Sequence, residues 1–248
     1  MQNQSSKKYR LLISGGGTGG HVFPAIAIAD AIKASGINVE FLFVGAIGKL
    51  EMEKVPQAGY RIEGLPVIGF PRKISFRIFK FIISLIRSML KAGRILREFK
   101  PDCVVGVGGY ASGPVLRIAT RKGIPALLQE QNSYAGVTNK LLAARVSRIC
   151  VAYEGMGKYF PAEKIIMTGN PVRKDILQIE KKNAEGCKSF GLDYSRKTIL
   201  VLGGSLGAGT INSSILAGID KIEANCQVLW QCGKTHYSNL LASFDVTK

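Results

Sequence analysis

The feature that most constrains this chain is a repeated local order: a short apolar strand, a glycine-rich turn, then an apolar helix. It appears first as Leu11–Ser14, the run GGGTGG at Gly15–Gly20, and the stretch AIAIADAIKASG ending at Gly36. It appears again as Thr198–Leu202, GGSLGA at Gly203–Ala208, and a helix from Ile211. Strands alternating with helices over short connections make parallel sheets with helices on both faces.

Between the two cycles the pattern predicts strands at Val39–Val44, near Tyr60–Leu65, and at Cys103–Val107, Ala126–Gln129, Arg148–Ala152 and Lys164–Thr168. Helices are expected from about Pro114 and Thr138, and a long basic amphipathic helix over Ile74–Phe99. Several strands are nearly continuous apolar runs, as expected where helices cover both sheet faces. Loops rich in Gly, Asn, Ser and Tyr follow the strands, where ligands bind in such sheets. The organisation read from this is a first Rossmann-like domain over 1–173, a polar link over 174–197, and the start of a second over 198–248. A two-stranded sheet cannot bury its own faces, so the sequence reads as stopping inside an incomplete second domain.

Composition narrows the function classes. Hydrophobic residues make up 46% of the 248 residues, enough for a packed core. The formal charge of +17 attracts polyanions: nucleic acid, anionic lipid or a phosphorylated substrate. The five cysteines include no C-x-x-C pair, which argues against both a disulfide framework and a zinc site. Reduced, buried thiols in a cytosolic protein are expected. The opening MQNQSSKKYR is polar and reads as carrying no signal peptide. Phe81–Ile86, broken by Ser84 and bounded by Lys80 and Arg87, is too short to span a bilayer. No Asp-x-Asp pair or His/Cys ligand spacing occurs, so neither a catalytic metal nor another cofactor is expected.

The run GGGTGG fits G-x-G-x-x-G, but a dinucleotide site wants an acid closing the second strand, and that strand ends Val44, Gly45, Ala46. This disfavours a nucleotide-dependent oxidoreductase, and no P-loop motif is present. The loop still reads as an anion cradle of bare N–H groups at a helix start, and GGSLGA as a second one. His21, directly after the first loop, is a candidate general base near neutral pH; a purely structural helix-start histidine is the alternative. Glu130, Gln131 and Asn132 suit sugar-hydroxyl recognition or, equally, loop capping.

On the long helix, Ile78, Ile82, Leu85, Met89 and Leu96 are expected to form the core stripe. Phe76, Ile83 and Leu90 form a second apolar line beside Lys80, Arg87 and Arg94. An apolar ridge flanked by cations fits an anionic membrane surface. A core helix with a solvated basic face is the alternative. Nucleic acid is a weaker option, because the loops offer no aromatic stacking array.

Five segments in order, GGGTGGHVFPAIAIA (15–29), GGYASGP (108–114), EQNSYAGVTNK (130–140), GNPVR (169–173) and GGSLGAGTIN (203–212), resemble the MurG family. These are transferases that add N-acetylglucosamine to the lipid-linked muramyl-pentapeptide precursor of peptidoglycan. The resemblance implies a GT-B fold, with two Rossmann-like domains and parallel sheets. It implies inverting transfer from UDP-N-acetylglucosamine to lipid I, giving lipid II, by a peripheral protein at the cytoplasmic face of the inner membrane. By motif, Thr18, Gly19 and Gly20 match the donor and diphosphate region, and Asn132, Arg173 and Ser205 match donor-binding positions. His21 matches a proposed catalytic position, while Tyr110 and Glu130 lie in acceptor-side motifs, Glu130 being the fallback base. The family usually has His where this chain has Gln129, which shifts weight to His21. The rival readings are another GT-B glycolipid transferase and a non-catalytic sugar-nucleotide or membrane-surface module.

Overall fold

The computed structural model describes residues 7–69, 77–173, 176, 184–204 and 207–243. They fall in two compact units, Met1–Leu177 and Gln178–Lys248. The first unit carries β1 (Tyr9–Ser14), β2 (Val39–Ala46), β3 (Ile62–Leu65), β4 (Cys103–Gly106), β5 (Ala126–Glu130), β6 (Arg148–Val151) and β7 (Ile165–Met167). Helices α1 (Gly19–Ala34), α2 (Glu51–Gln57), α3 (Arg77–Phe99), α4 (Ser112–Arg121) and α5 (Val137–Leu142) connect the strands up to β6. The strands make one parallel sheet in the order β3-β2-β1-β4-β5-β6-β7. This is the α/β class expected from the sequence. The order reverses between β1 and β4, so the loops leaving their carboxyl ends part and leave a crevice there.

Alternation along the strands builds two cores. Leu12, Val44, Val104 and Leu128 pack on one face with Ala92, Ile95 and Leu96 of α3 and Val115 and Leu116 of α4. Leu11, Ile13, Phe43 and Val105 pack on the other with Val22, Ala25, Ile26 and Ala29 of α1. Leu12 and Ile13 are both 0% exposed, which is why β1 reads as a continuous apolar run. Burying each such side chain stabilises by about 1.5–3 kcal/mol.

The second unit carries α6 (Ala184–Ser189), β8 (Thr198–Leu202), α7 (Gly209–Glu223), β9 (Gln227–Gln231) and α8 (Lys234–Leu241). Its two strands pair in parallel. Ile199, Leu200 and Leu202 are 41%, 57% and 60% exposed, in contrast to β1.

Three expectations need correction. Helix α2 was not foreseen: it is seven residues long and has Pro56 inside it. The polar link contains α6, where Cys187 is buried; residues 174–175 and 177–183 lie outside the described residues. Of the expected core stripe on α3, only Leu96 is buried, while Ile82 and Leu85 are exposed. The buried face is Ser88, Ala92, Ile95 and Leu96. The physical reason is that the second half of α3 packs on the sheet, whereas Phe81, Ser84, Leu85 and Met89 in its first half line a cavity.

All five cysteines are free. Desolvation pushes the half-buried thiols of Cys103 and Cys150 above their ordinary pKa.

Candidate active site

The first glycine loop is braced from inside. Gly15 N–H donates to Val44 O and Gly16 N–H to Gly108 O, each at 3.3 Å. Gly17 N–H donates to Glu51 Oε2 and Ala46 N–H to Glu51 Oε1, each at 2.8 Å. Glu51 is 1% exposed. A Cβ on Gly16 would lie 2.2 Å from its carboxyl carbon, and one on Gly45 would lie 2.3 Å from its Cγ. These two glycines therefore make room for a buried carboxylate.

This corrects the picture of a bare anion cradle. The first three glycine N–H groups are used internally, and a carboxylate bonds the loop. The donors left for an anion are those of the first turn of α1, Gly19 and Gly20, which no preceding helical carbonyl can reach. The positive end of the helix dipole adds to them. Thr18, the N-cap, has extended backbone and makes no side-chain cap bond.

Glu51 is the residue that sequence reasoning missed. An acid was sought at the end of β2; it arrives five residues past Ala46, from α2, and is consumed by bracing the loop. An acid in the first turn of a helix was the available signal.

His21 stands in the first turn of α1 with its ring over Gly108. A Cβ at Gly108, where φ is +94°, would come within 2.8 Å of the imidazole Cε1. His21 Nδ1 lies 3.1 Å from Gln131 Oε1. Gln131, just after β5 and 6% exposed, donates from Nε2 to Val107 O at 2.8 Å and to Gln129 Oε1. Residues leaving β1, β4 and β5 thus meet at this imidazole. Gln129 is 1% exposed and serves as an acceptor beneath Gln131.

Glu130 does not suit the fallback base role. It is 1% exposed, and both of its oxygens are occupied. Oε1 accepts from Asn132 N–H and Nδ2 at 3.1 and 3.0 Å. Oε2 accepts from Gly136 N–H and Asn139 Nδ2 at 2.9 and 3.0 Å. Four donors fill the acceptor sites of the carboxylate and tie the loop after β5 to α5, leaving no lone pair directed at a substrate. Asn132 is exposed and held by this clasp.

Arg173 stacks on Phe23, with its guanidinium carbon 4.7 Å from the ring centroid. A Cβ on Gly19 would lie 3.1 Å from the same ring. One aromatic ring therefore separates this cation from the start of α1. Ser205 lies outside the described residues.

Tyr110 is exposed and lines a mainly apolar cavity of about 480 Å³ with Val67, Phe81, Leu85, Met89 and Leu141. On α3, Ile83 and Leu90 are exposed, as are Lys80, Arg87 and Arg94. Arg94 is paired with Glu98 at 2.7 Å. Phe79, Ile82 and Ile86 are exposed too, so the apolar surface is broader than the expected ridge. Phe76 lies outside the described residues. Among the described residues, no helix is long and apolar enough to cross a membrane.

A parallel sheet with a glycine loop, a helix start and an oriented histidine at its switch point is a Rossmann-like domain with a ligand crevice at the carboxyl ends of its strands. Residues 11–151 match the glycosyltransferase family 28 N-terminal domain, and the chain belongs to that family. It is 58% identical over 234 residues to a UDP-N-acetylglucosamine–N-acetylmuramyl-(pentapeptide) pyrophosphoryl-undecaprenol N-acetylglucosamine transferase of Parabacteroides distasonis, covering 94% of this chain and 64% of that protein. It is 55% identical over 233 residues to the Bacteroides fragilis protein of the same name, covering 93% and 61%. The chain thus spans about three fifths of the length of these curated relatives. The solved MurG of Acinetobacter baumannii matches with a TM-score of 0.66 at 26% identity, over 96% of this chain and 65% of that one. A UDP-GlcNAc 2-epimerase from Neisseria meningitidis matches at a TM-score of 0.61 and 15% identity, over 96% and 69%, a likeness of fold alone.

Proposed function

We propose that this chain is the acceptor-side part of an inverting glycosyltransferase that moves N-acetylglucosamine from UDP-N-acetylglucosamine to lipid I, giving lipid II. The observation that carries the reading is His21, held at the crevice between β1 and β4 with Nδ1 engaged by Gln131. In the reaction, the acceptor hydroxyl gives its proton to Nε2 of His21 as its oxygen attacks the anomeric carbon. The bond from that carbon to the diphosphate breaks, and UDP leaves with the electron pair. The N–H groups at Gly19 and Gly20 and the charge of Arg173 favour the anionic diphosphate. Tyr110 borders the acceptor, and Asn132 is assigned to the donor by its motif. Ser205 is assigned to the donor by its motif.

The membrane part of the reading rests on α3. Exposed Ile83 and Leu90 face a bilayer surface, flanked by Lys80, Arg87 and Arg94. This surface supports peripheral binding to the anionic cytoplasmic leaflet of the inner membrane. The cavity at Tyr110 accepts part of the acceptor's lipid chain. It begins two residues beyond Gly108, which carries the His21 ring; two residues span at most about 7 Å.

The test is transfer of labelled N-acetylglucosamine from UDP-N-acetylglucosamine to a lipid I analogue. This chain is compared with a version extended by the remaining C-terminal segment of the Parabacteroides distasonis relative. Lipid II is expected from the extended version, with little or none from the chain alone. No product from a folded extended version overturns the reading in favour of another glycolipid acceptor or a non-catalytic module.

A further inference from the structure

The orientation of the Gln131 amide is fixed by groups other than His21. Its nitrogen lies 2.8 Å from the main-chain carbonyl of Val107, which can only accept, and it also meets Oε1 of Gln129. Turned over, the amide would press its oxygen against the Val107 carbonyl oxygen and lose that bond. Gln131 Oε1 therefore faces His21, and an amide oxygen only accepts. For the 3.1 Å contact to be a hydrogen bond, the imidazole Nδ1 must carry the proton. Gln129, Val107 and Gln131 are all buried, so water does not compete for these positions.

We infer that Gln131 is a positioning residue that holds neutral His21 in its Nδ1–H tautomer, leaving the lone pair of a general base on Nε2. Free neutral histidine favours the opposite form, with the proton on Nε2 and no lone pair there. The relay Val107 carbonyl–Gln131–His21 reverses that preference. It brings together residues 110 positions apart in the chain. The catalytic consequence rests on the base role proposed above for His21; the tautomer is a property of the chain itself.

The experiment uses this 248-residue chain labelled with ¹⁵N-histidine. It holds two histidines, His21 and His236, so a His236→Gln variant assigns both. Long-range ¹H–¹⁵N correlation spectra are recorded at about pH 8.5, two units above the ordinary histidine pKa. The expected result is a protonated Nδ1 and an unprotonated Nε2 at His21. Gln131→Met, whose thioether accepts only weakly, is expected to move His21 towards the Nε2–H form.

A wild-type His21 with its proton mainly on Nε2 overturns the inference. So does an unchanged Nδ1–H pattern in a folded Gln131→Met variant. If that variant does not fold, the wild-type spectrum alone decides. In the extended enzyme, Gln131→Met is expected to lower kcat at least tenfold with donor KM unchanged. An inactive extended wild type with the Nδ1–H pattern intact would count against the proposed function and leave the tautomer assignment standing.

Discussion

At the first glycine loop a Cβ on Gly109 would come within 2.2 Å of Gly16 O; at the second, a Cβ on Gly207 would come within 2.2 Å of Cys232 O. In each unit the glycine loop is pressed against the loop leaving the neighbouring parallel strand, and glycine at φ of +84° or +80° is what allows it. The surroundings differ. The first loop has Glu51 bonded into it and an imidazole fixed by Gln131. The second has Asn212, 3% exposed, donating to Cys232 O at 2.9 Å and accepting from Trp230 Nε1 at 3.1 Å. The His236 ring lies against Gly207 and Gly209, and no carboxamide holds it among the described residues. The shared glycine pattern thus reports close packing of loop on loop. The chemistry depends on which side chains other elements deliver to it.

The first way to break this comparison is to empty the core behind each loop. Replacing the fully buried Ile13 of β1, as Ile13→Ala, should cost about 2–5 kcal/mol of unfolding free energy in urea. Leu200→Ala in half-exposed β8 should cost less than about 1 kcal/mol. Equal costs would erase the contrast between the two sheets. On the surface of the first unit, Lys80→Gln with Arg87→Gln should weaken binding to anionic vesicles by about 1 kcal/mol per charge removed. Binding that ignores both the substitutions and the salt concentration would remove the cations from the membrane account.

The braces come next. Glu51→Ala orphans the Gly17 and Ala46 N–H groups, and should cost about 1–3 kcal/mol and speed hydrogen exchange at both amides. Asn212→Ala should do the same at its own loop. Unchanged exchange at Gly17 would show that Glu51 does not brace the first loop.

The smallest effect is expected at Tyr60. Its hydroxyl donates to Asp30 at 2.5 Å, and burial first, then this carboxylate, raises its pKa well above the ordinary value. A raised folded pKa contributes stability that is complete below the unfolded value of about 10 and is lost as pH climbs above it. Tyr60→Phe should therefore cost about 1 kcal/mol at pH 8 and flatten the fall in stability between pH 10 and 11, read from urea midpoints. An equally steep fall in the variant would assign the alkaline loss to other groups.

The strand pattern was readable because it is local: β8 falls at the expected Thr198–Leu202. What escaped was tertiary. A helical stripe on α3 does not say whether a sheet or a cavity lies behind it, so Ile82 and Leu85 were misplaced. Helix α2 is too short to show a period, and its Glu51 acquires meaning only by returning to Gly17, 34 residues earlier. The run Glu130–Asn132 was legible as a polar cluster after β5. That Glu130 is saturated depends on Asn139 coming back from α5, and that Gln131 meets His21 depends on the order of β1, β4 and β5.

The most direct test of the central claim is steady-state transfer by His21→Ala in the extended enzyme, with donor and lipid I analogue varied separately. The account predicts a 10²- to 10⁴-fold fall in kcat with donor KM changed less than about twofold. An unchanged kcat, in a variant that folds as the wild type does, would contradict it.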